Sequence, residues 1–176
     1  NKMSAFGKIL FICDDKAYAN KIKEHLLKFG EYVLITESTA QAGVVSLQHS
    51  LFDLIIIRYA IPDLDILSTI AELKKVDPDC VIVVLLEVEE HNQGNQFADV
   101  GAYEVLGWPV DFDKLKFVVE KGIRLHMSLT AGRKMVQGLK ENNQALEKQN
   151  TLLAKRIEDS TSNLSRLYED LRSTYM

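Results

Sequence analysis

Ile9-Leu10-Phe11-Ile12-Cys13-Asp14-Asp15 decides the fold of this chain. Five apolar residues run without a polar break and stop abruptly on two carboxylates. Three further runs share that character: Tyr32-Val33-Leu34-Ile35, Leu54-Ile55-Ile56-Ile57 and Val81-Ile82-Val83-Val84-Leu85-Leu86. None alternates with polar residues. Runs this short and this rich in Val and Ile read as strands buried on both faces, as in a parallel sheet.

Segments of helical period lie between the runs. Ile22, Leu26 and Phe29 share one face, and Gly30 stops that helix. Ser38 followed by Gln41 reads as a capping box opening the next. Leu64 to Val76 forms a third helix closed by Asp77-Pro78, and a weaker fourth lies near His91 to Val100. A short strand near Tyr103 to Leu106 and a helix opening at Asp111 complete the series. Strands alternating with helices predict an α/β fold, a five-stranded doubly wound parallel sheet.

The 176 residues carry 21 basic and 25 acidic side chains, a net charge of −4, and 47% are hydrophobic, enough for a real core. Residues 1–124 hold 13 basic and 19 acidic groups, residues 125–176 hold 8 and 6, and the second stretch has no Pro, Trp or Phe. Two architectures are therefore expected, a domain over 1–124 and a helical stretch over 125–176. No apolar run approaches the ~20 residues of a membrane span, and no secretory pattern is present. Cys13 and Cys80 sit inside apolar runs and read as reduced core residues, so a cytoplasmic location is expected, with no membrane partner. The mild acidity argues against a nucleic-acid partner. The four histidines have no metal-ligand spacing, and no phosphate loop, nucleophile elbow or zinc motif occurs. No enzymatic activity, metal or cofactor is expected.

In doubly wound sheets, sites form at the carboxyl ends of the strands. That rule singles out Asp14 and Asp15, Arg58, Glu87, and Trp108-Pro109. Around them, Lys8 to about Arg124 resembles a response-regulator receiver domain of two-component signalling, a flavodoxin-like fold. The marks are the Asp14-Asp15 pair, Ile61-Pro62-Asp63 after the third strand, Gly101-Ala102 before the fifth and Pro109 after it.

The resemblance also defines the departures. Receivers accept a phosphoryl group on an Asp four residues before the loop proline, and that position is Arg58. The Thr or Ser that ends their fourth strand is matched by Leu86, with Glu87 next, and their Lys before the last proline is matched by Trp108. The small Gly after the third-strand loop is Ile66, and the aromatic switch position is Val105. Receiver phosphorylation needs a carboxylate nucleophile, Mg²⁺ and cationic and hydroxyl groups on the developing charge. A guanidinium stays protonated and cannot be that nucleophile. Arg58 is expected instead to pair with Asp14 or Asp15 in place of the metal charge. These residues form a degenerate acidic pocket, and the domain reads as a pseudo-receiver. Asp63 and Asp65 read as exposed loop carboxylates, the alternative being that one of them accepts the phosphoryl group.

From Leu125 onward a 4–3 spacing persists. Leu139, Leu146, Leu153 and Leu167 fall at d, and Val136, Asn143, Asn150, Ile157, Leu164 and Leu171 at a. Such a repeat predicts a left-handed coiled coil, and Asn at a with Leu at d favours a parallel, in-register homodimer. Gly132 and Gly138 are places where it frays or bends. With no breaker between Asp111 and Leu125, the last domain helix is expected to run directly into the coil. The heptads are still running at Tyr175-Met176, which reads as a fragment whose output domain follows. Leu167 to Met176 resembles the lead-in helix of HD-GYP-type cyclic-di-GMP phosphodiesterases, with cyclase, phosphatase or kinase outputs open as well. The expected function is a regulatory module that signals by binding and dimer geometry to that output, with an upstream signalling protein as partner.

Overall fold

The computed structural model of the chain describes residues 5–59, 65–87 and 94–175. Five strands, β1 (Ala5–Ile12), β2 (Gly30–Glu37), β3 (Leu54–Arg58), β4 (Ile82–Glu87) and β5 (Glu104–Trp108), form one sheet. Its order is β2-β1-β3-β4-β5 and every neighbouring pair is parallel. The helices are α1 (Lys16–Leu27), α2 (Ala40–His49), α3 (Ile66–Val76), α4 (Gly94–Asp99) and α5 (Phe112–Thr174). This is the flavodoxin-like receiver architecture, followed by a long C-terminal helix.

Strand alternation divides the core into two layers. Ile9, Phe11, Leu54, Ile56, Val83 and Leu85 face α1 and α5, where they meet Ile22, Leu26, Leu115 and Val119. Leu10, Ile12, Ile55, Ile57, Val84 and Leu86 face the other way, onto Val44, Leu47, Ile70, Leu73 and Phe97 of α2, α3 and α4. The central strands need apolar residues at every position because helices cover both faces. Each such side chain contributes about 1.5–3 kcal/mol on burial.

β2 departs from that pattern. Tyr32 and Leu34 are buried while Val33 and Ile35 are exposed. Its place at the sheet edge is the reason: only one of its faces is covered. Gly30 opens β2 rather than ending α1, whose last turn closes when Lys28 N–H donates to His25 and Leu26 carbonyls. Phe29 therefore lies outside α1 and is partly exposed. The cap of α2 is Thr39, not Ser38; its hydroxyl accepts Ala42 N–H at 3.1 Å. α3 begins at Ile66, α4 is the single turn-and-a-half Gly94–Asp99, and β5 extends to Trp108. Leu64 and residues 91–93 lie outside the described residues.

Gly122 lets α5 approach the sheet closely. A Cβ there would stand 2.7 Å from Leu54 Cδ1 and 3.2 Å from Val81 Cγ1. Leu115, Val118, Val119, Ile123 and His126 complete the buried face of α5. The chain divides into two compact units after Thr130. In the second, residues 131–174 are helical and every side chain is exposed, including the leucines of the heptad. No described helix is long and apolar enough to cross a membrane.

Candidate functional site

The carboxyl ends of β1 and β3 meet because the strands pair with Ile12 beside Ile57. Asp14 and Asp15 leave β1 next to Arg58, the last residue of β3. Arg58 Nη1 lies 3.6 Å from Asp14 Oδ1 and 3.7 Å from Asp15 Oδ2. Its guanidinium carbon is 4.9 Å from the centroid of the Tyr18 ring, which stacks on Phe11 at 6.2 Å. Charge and an aromatic face together hold the guanidinium.

Asp15 also works for the backbone. Its carboxylate caps α1 by accepting Ala17 and Tyr18 N–H at 3.0 and 3.2 Å, and such caps are worth ~1 kcal/mol. The cap sets Tyr18 in the first turn of α1, from which it reaches Arg58. Asp14 and Asp15 side chains are 37% and 47% exposed, so each ion pair adds only about 0.2–1 kcal/mol. The pairs matter less for stability than for the sign of the charge between the two carboxylates.

Burial pushes the Tyr18 phenol up from its ordinary value, against the pull of the Arg58 charge. Burial likewise raises the Cys13 thiol, opposed by the Asp15 backbone and by the Arg58 charge. Both groups stay neutral at physiological pH, leaving Arg58, Asp14 and Asp15 as the charges of this cluster.

The resemblance to receivers implies Mg²⁺, and the donor set does not fit it. Mg²⁺ needs oxygen ligands at about 2.0–2.1 Å in near-octahedral geometry. A guanidinium within 4 Å of both carboxylates would repel that ion by several kcal/mol, on the order set by partly screened charges. Among the described residues, no group of three or more His, Cys, Asp or Glu side chains is gathered as metal ligands.

The remaining positions lie on β4, β5 and the start of α3. Leu86 is fully buried in the core layer facing α2 to α4, one residue short of the strand end. Glu87 and Trp108 end β4 and β5 as paired neighbours, and their side chains are outside the described set. Pro109 follows, exposed. Ile66 opens α3 inside the core, and Val105 is partly buried against the same layer. Asp65 stands at the cap position of α3, accepting the Ser68 hydroxyl at 2.9 Å. Asp63 lies outside the described residues. Tyr18 is the member that sequence reading missed, although its position three residues after the capping Asp15 was a usable signal.

Residues 10–120 match the family model described as the response regulator receiver domain. The transcriptional regulatory protein ZraR of Escherichia coli is 24% identical over 123 residues, which are 70% of this chain and 28% of ZraR. The chain spans about a quarter of the length of the curated relatives it matches. A solved receiver domain from Clostridium thermocellum superposes with a TM-score of 0.64 at 24% identity, covering 69% of this chain and 98% of that one. A solved chain described as adenylate cyclase from Rhodopirellula baltica gives a TM-score of 0.68 at 18% identity, covering 74% of this chain and 96% of that one.

Proposed function

We propose, from the premise that the chain belongs to the response regulator receiver domain family of two-component systems, that this receiver signals without being phosphorylated. The observation that carries the reading is Arg58 at the end of β3, with Nη1 3.6 Å from Asp14 and 3.7 Å from Asp15. A phosphoryl-accepting carboxylate must stand beside the acidic pair, and the group there is a permanently protonated cation. The guanidinium supplies the charge that a metal would bring, so the pocket is held in one charge state. Buried Leu86 offers no hydroxyl to a phosphoryl oxygen.

Regulation then runs through contacts and assembly. Leu139, Leu146, Leu153 and Leu167 are 53–62% exposed on the isolated helix, as are Val136, Ile157, Leu164 and Leu171 at similar levels. An apolar stripe of that length in water calls for a second helix. A second copy of this chain, parallel and in register, is the occupant, because Asn143 and Asn150 at a positions pair with themselves across such a dimer. The module acts in the cytoplasm, takes its input from an upstream protein and passes it to an output domain outside these residues.

The test is calorimetric titration of Mg²⁺ and beryllofluoride into the chain and into Arg58→Asp. The expected result is no binding heat in the wild type and a gain in the variant. Binding of both ligands by the wild type would overturn the reading and place the acceptor on another carboxylate, Asp63 or Asp65.

A further inference from the structure

α1 and the first part of α5 pack on one layer of the core, where Ile22 and Leu26 meet Leu115 and Val119. Their outer surface differs in charge from the rest of the domain. Residues 16–28 and 112–124 hold 8 basic and 3 acidic side chains, a net of +5. The rest of residues 1–124 hold 5 and 16, a net of −11. A domain that is acidic as a whole thus presents one cationic side. Every basic group on that side is exposed except Lys116, which is partly buried.

Apolar groups share that side. Leu27, Phe29 and Phe117 are 48%, 36% and 58% exposed. Each of the two rings carries a lysine. Lys116 Nζ lies 4.4 Å from the Phe29 centroid, joining α5 to the residues that follow α1, and Lys121 Nζ lies 5.0 Å from that of Phe117. Such contacts hold the ammonium groups beside apolar surface instead of letting them swing into water. Exposed hydrophobic groups standing singly need no partner, but here they are framed by positioned cations. That combination suits a ligand bearing both apolar and anionic groups.

The pattern also selects the class of ligand. Glu24, Asp113 and Glu120 stand among the lysines. A nucleic-acid backbone or an anionic bilayer is charged everywhere, so it would be repelled by these acids and by the −11 of the remaining domain. A helix can set carboxylates against the lysines and neutral residues against the acids, while its apolar stripe covers Leu27, Phe29 and Phe117. We propose that the outer face formed by α1 and residues 112–124 of α5 docks an acidic amphipathic helix of a partner protein. This inference does not rest on the reading of the Arg58 pocket, since a receiver that accepted phosphate would carry the same face.

The test adds a synthetic helical peptide of about 20 residues, with leucines along one stripe and glutamates elsewhere, to the ¹⁵N-labelled full chain. Amide shifts should be confined to residues 21–29 and 112–124, and affinity should fall about tenfold between ~0.05 and ~0.5 M salt. Lys28→Glu combined with Lys121→Glu should weaken binding about tenfold, and Phe117→Ser should weaken it without changing the salt dependence. All three side chains are exposed, so the variants keep the fold. Any of four results would overturn the proposal: no shifts, shifts centred elsewhere, equal binding of a peptide with serine in place of leucine, or tighter binding of phosphatidylserine vesicles or duplex DNA.

Discussion

The Arg58 guanidinium lies over the ring of Tyr18, with its central carbon 4.9 Å from the ring centroid. The aromatic face is fixed from below by Phe11 and from behind by the α1 cap at Asp15. Tyr18→Ala would remove both the platform and a buried ring. Unfolding free energy from urea denaturation should fall by about 3–5 kcal/mol, as for other large-to-small aromatic changes in cores.

Arg58→Ala should behave differently. The two ion pairs are partly exposed and add about 0.2–1 kcal/mol each, and the contact with the Tyr18 ring is lost with them, so the cost should be about 1–3 kcal/mol in the same measurement. A drop as large as that of Tyr18→Ala would mean that the guanidinium, and not the buried ring, holds this end of the sheet.

Gly122 is a position of contact rather than of turn geometry. Gly122→Val should destabilise by about 1–3 kcal/mol, because its branched side chain must displace Leu54 and Val81 in a filled layer. Thermal unfolding checks this, and the same substitution at Gly132, with nothing within 4 Å of a Cβ, should be close to neutral for the first unit.

Cys80 gives an alkaline signature. Burial moves its thiol from 9.0 to about 11. The native state then keeps a proton that the unfolded chain gives up, so stability is complete below pH 9 and declines as pH rises toward 11. The loss attributable to this group is about 2–3 kcal/mol, and Cys80→Ala should flatten that slope in denaturation curves taken across the window.

The proposed coil predicts a dimer in sedimentation equilibrium. Leu146→Ala should weaken it by at least about tenfold, in line with the cost of truncating a buried leucine. Asn143→Leu should instead raise thermal stability while admitting other oligomer sizes.

The sheet was legible because β1, β3 and β4 are central: apolar residues at every position can only mean cover on both faces. β2 was harder, since Val33 and Ile35 look like core residues until the strand order puts them at an edge. The α2 cap fell on Thr39 rather than Ser38 because capping depends on which hydroxyl meets a free N–H, and neighbouring residues compete for that place. Arg58, Asp14 and Asp15 could be grouped from strand ends alone. Tyr18 could not, because a cation over a ring joins segments whose proximity arises only after folding.

The exposed face of β2 has one more consequence. At the edge of the described sheet, a strand with outward Val33 and Ile35 invites another strand to add to it. Glu31 and Glu37 stand at its two ends. A second copy adding antiparallel about Leu34 would set Glu31 against Glu37, and a parallel in-register copy would set each glutamate against itself. Either alignment carries like charges at both ends of the ladder, so the strand that most resembles an aggregation template is guarded by its own termini.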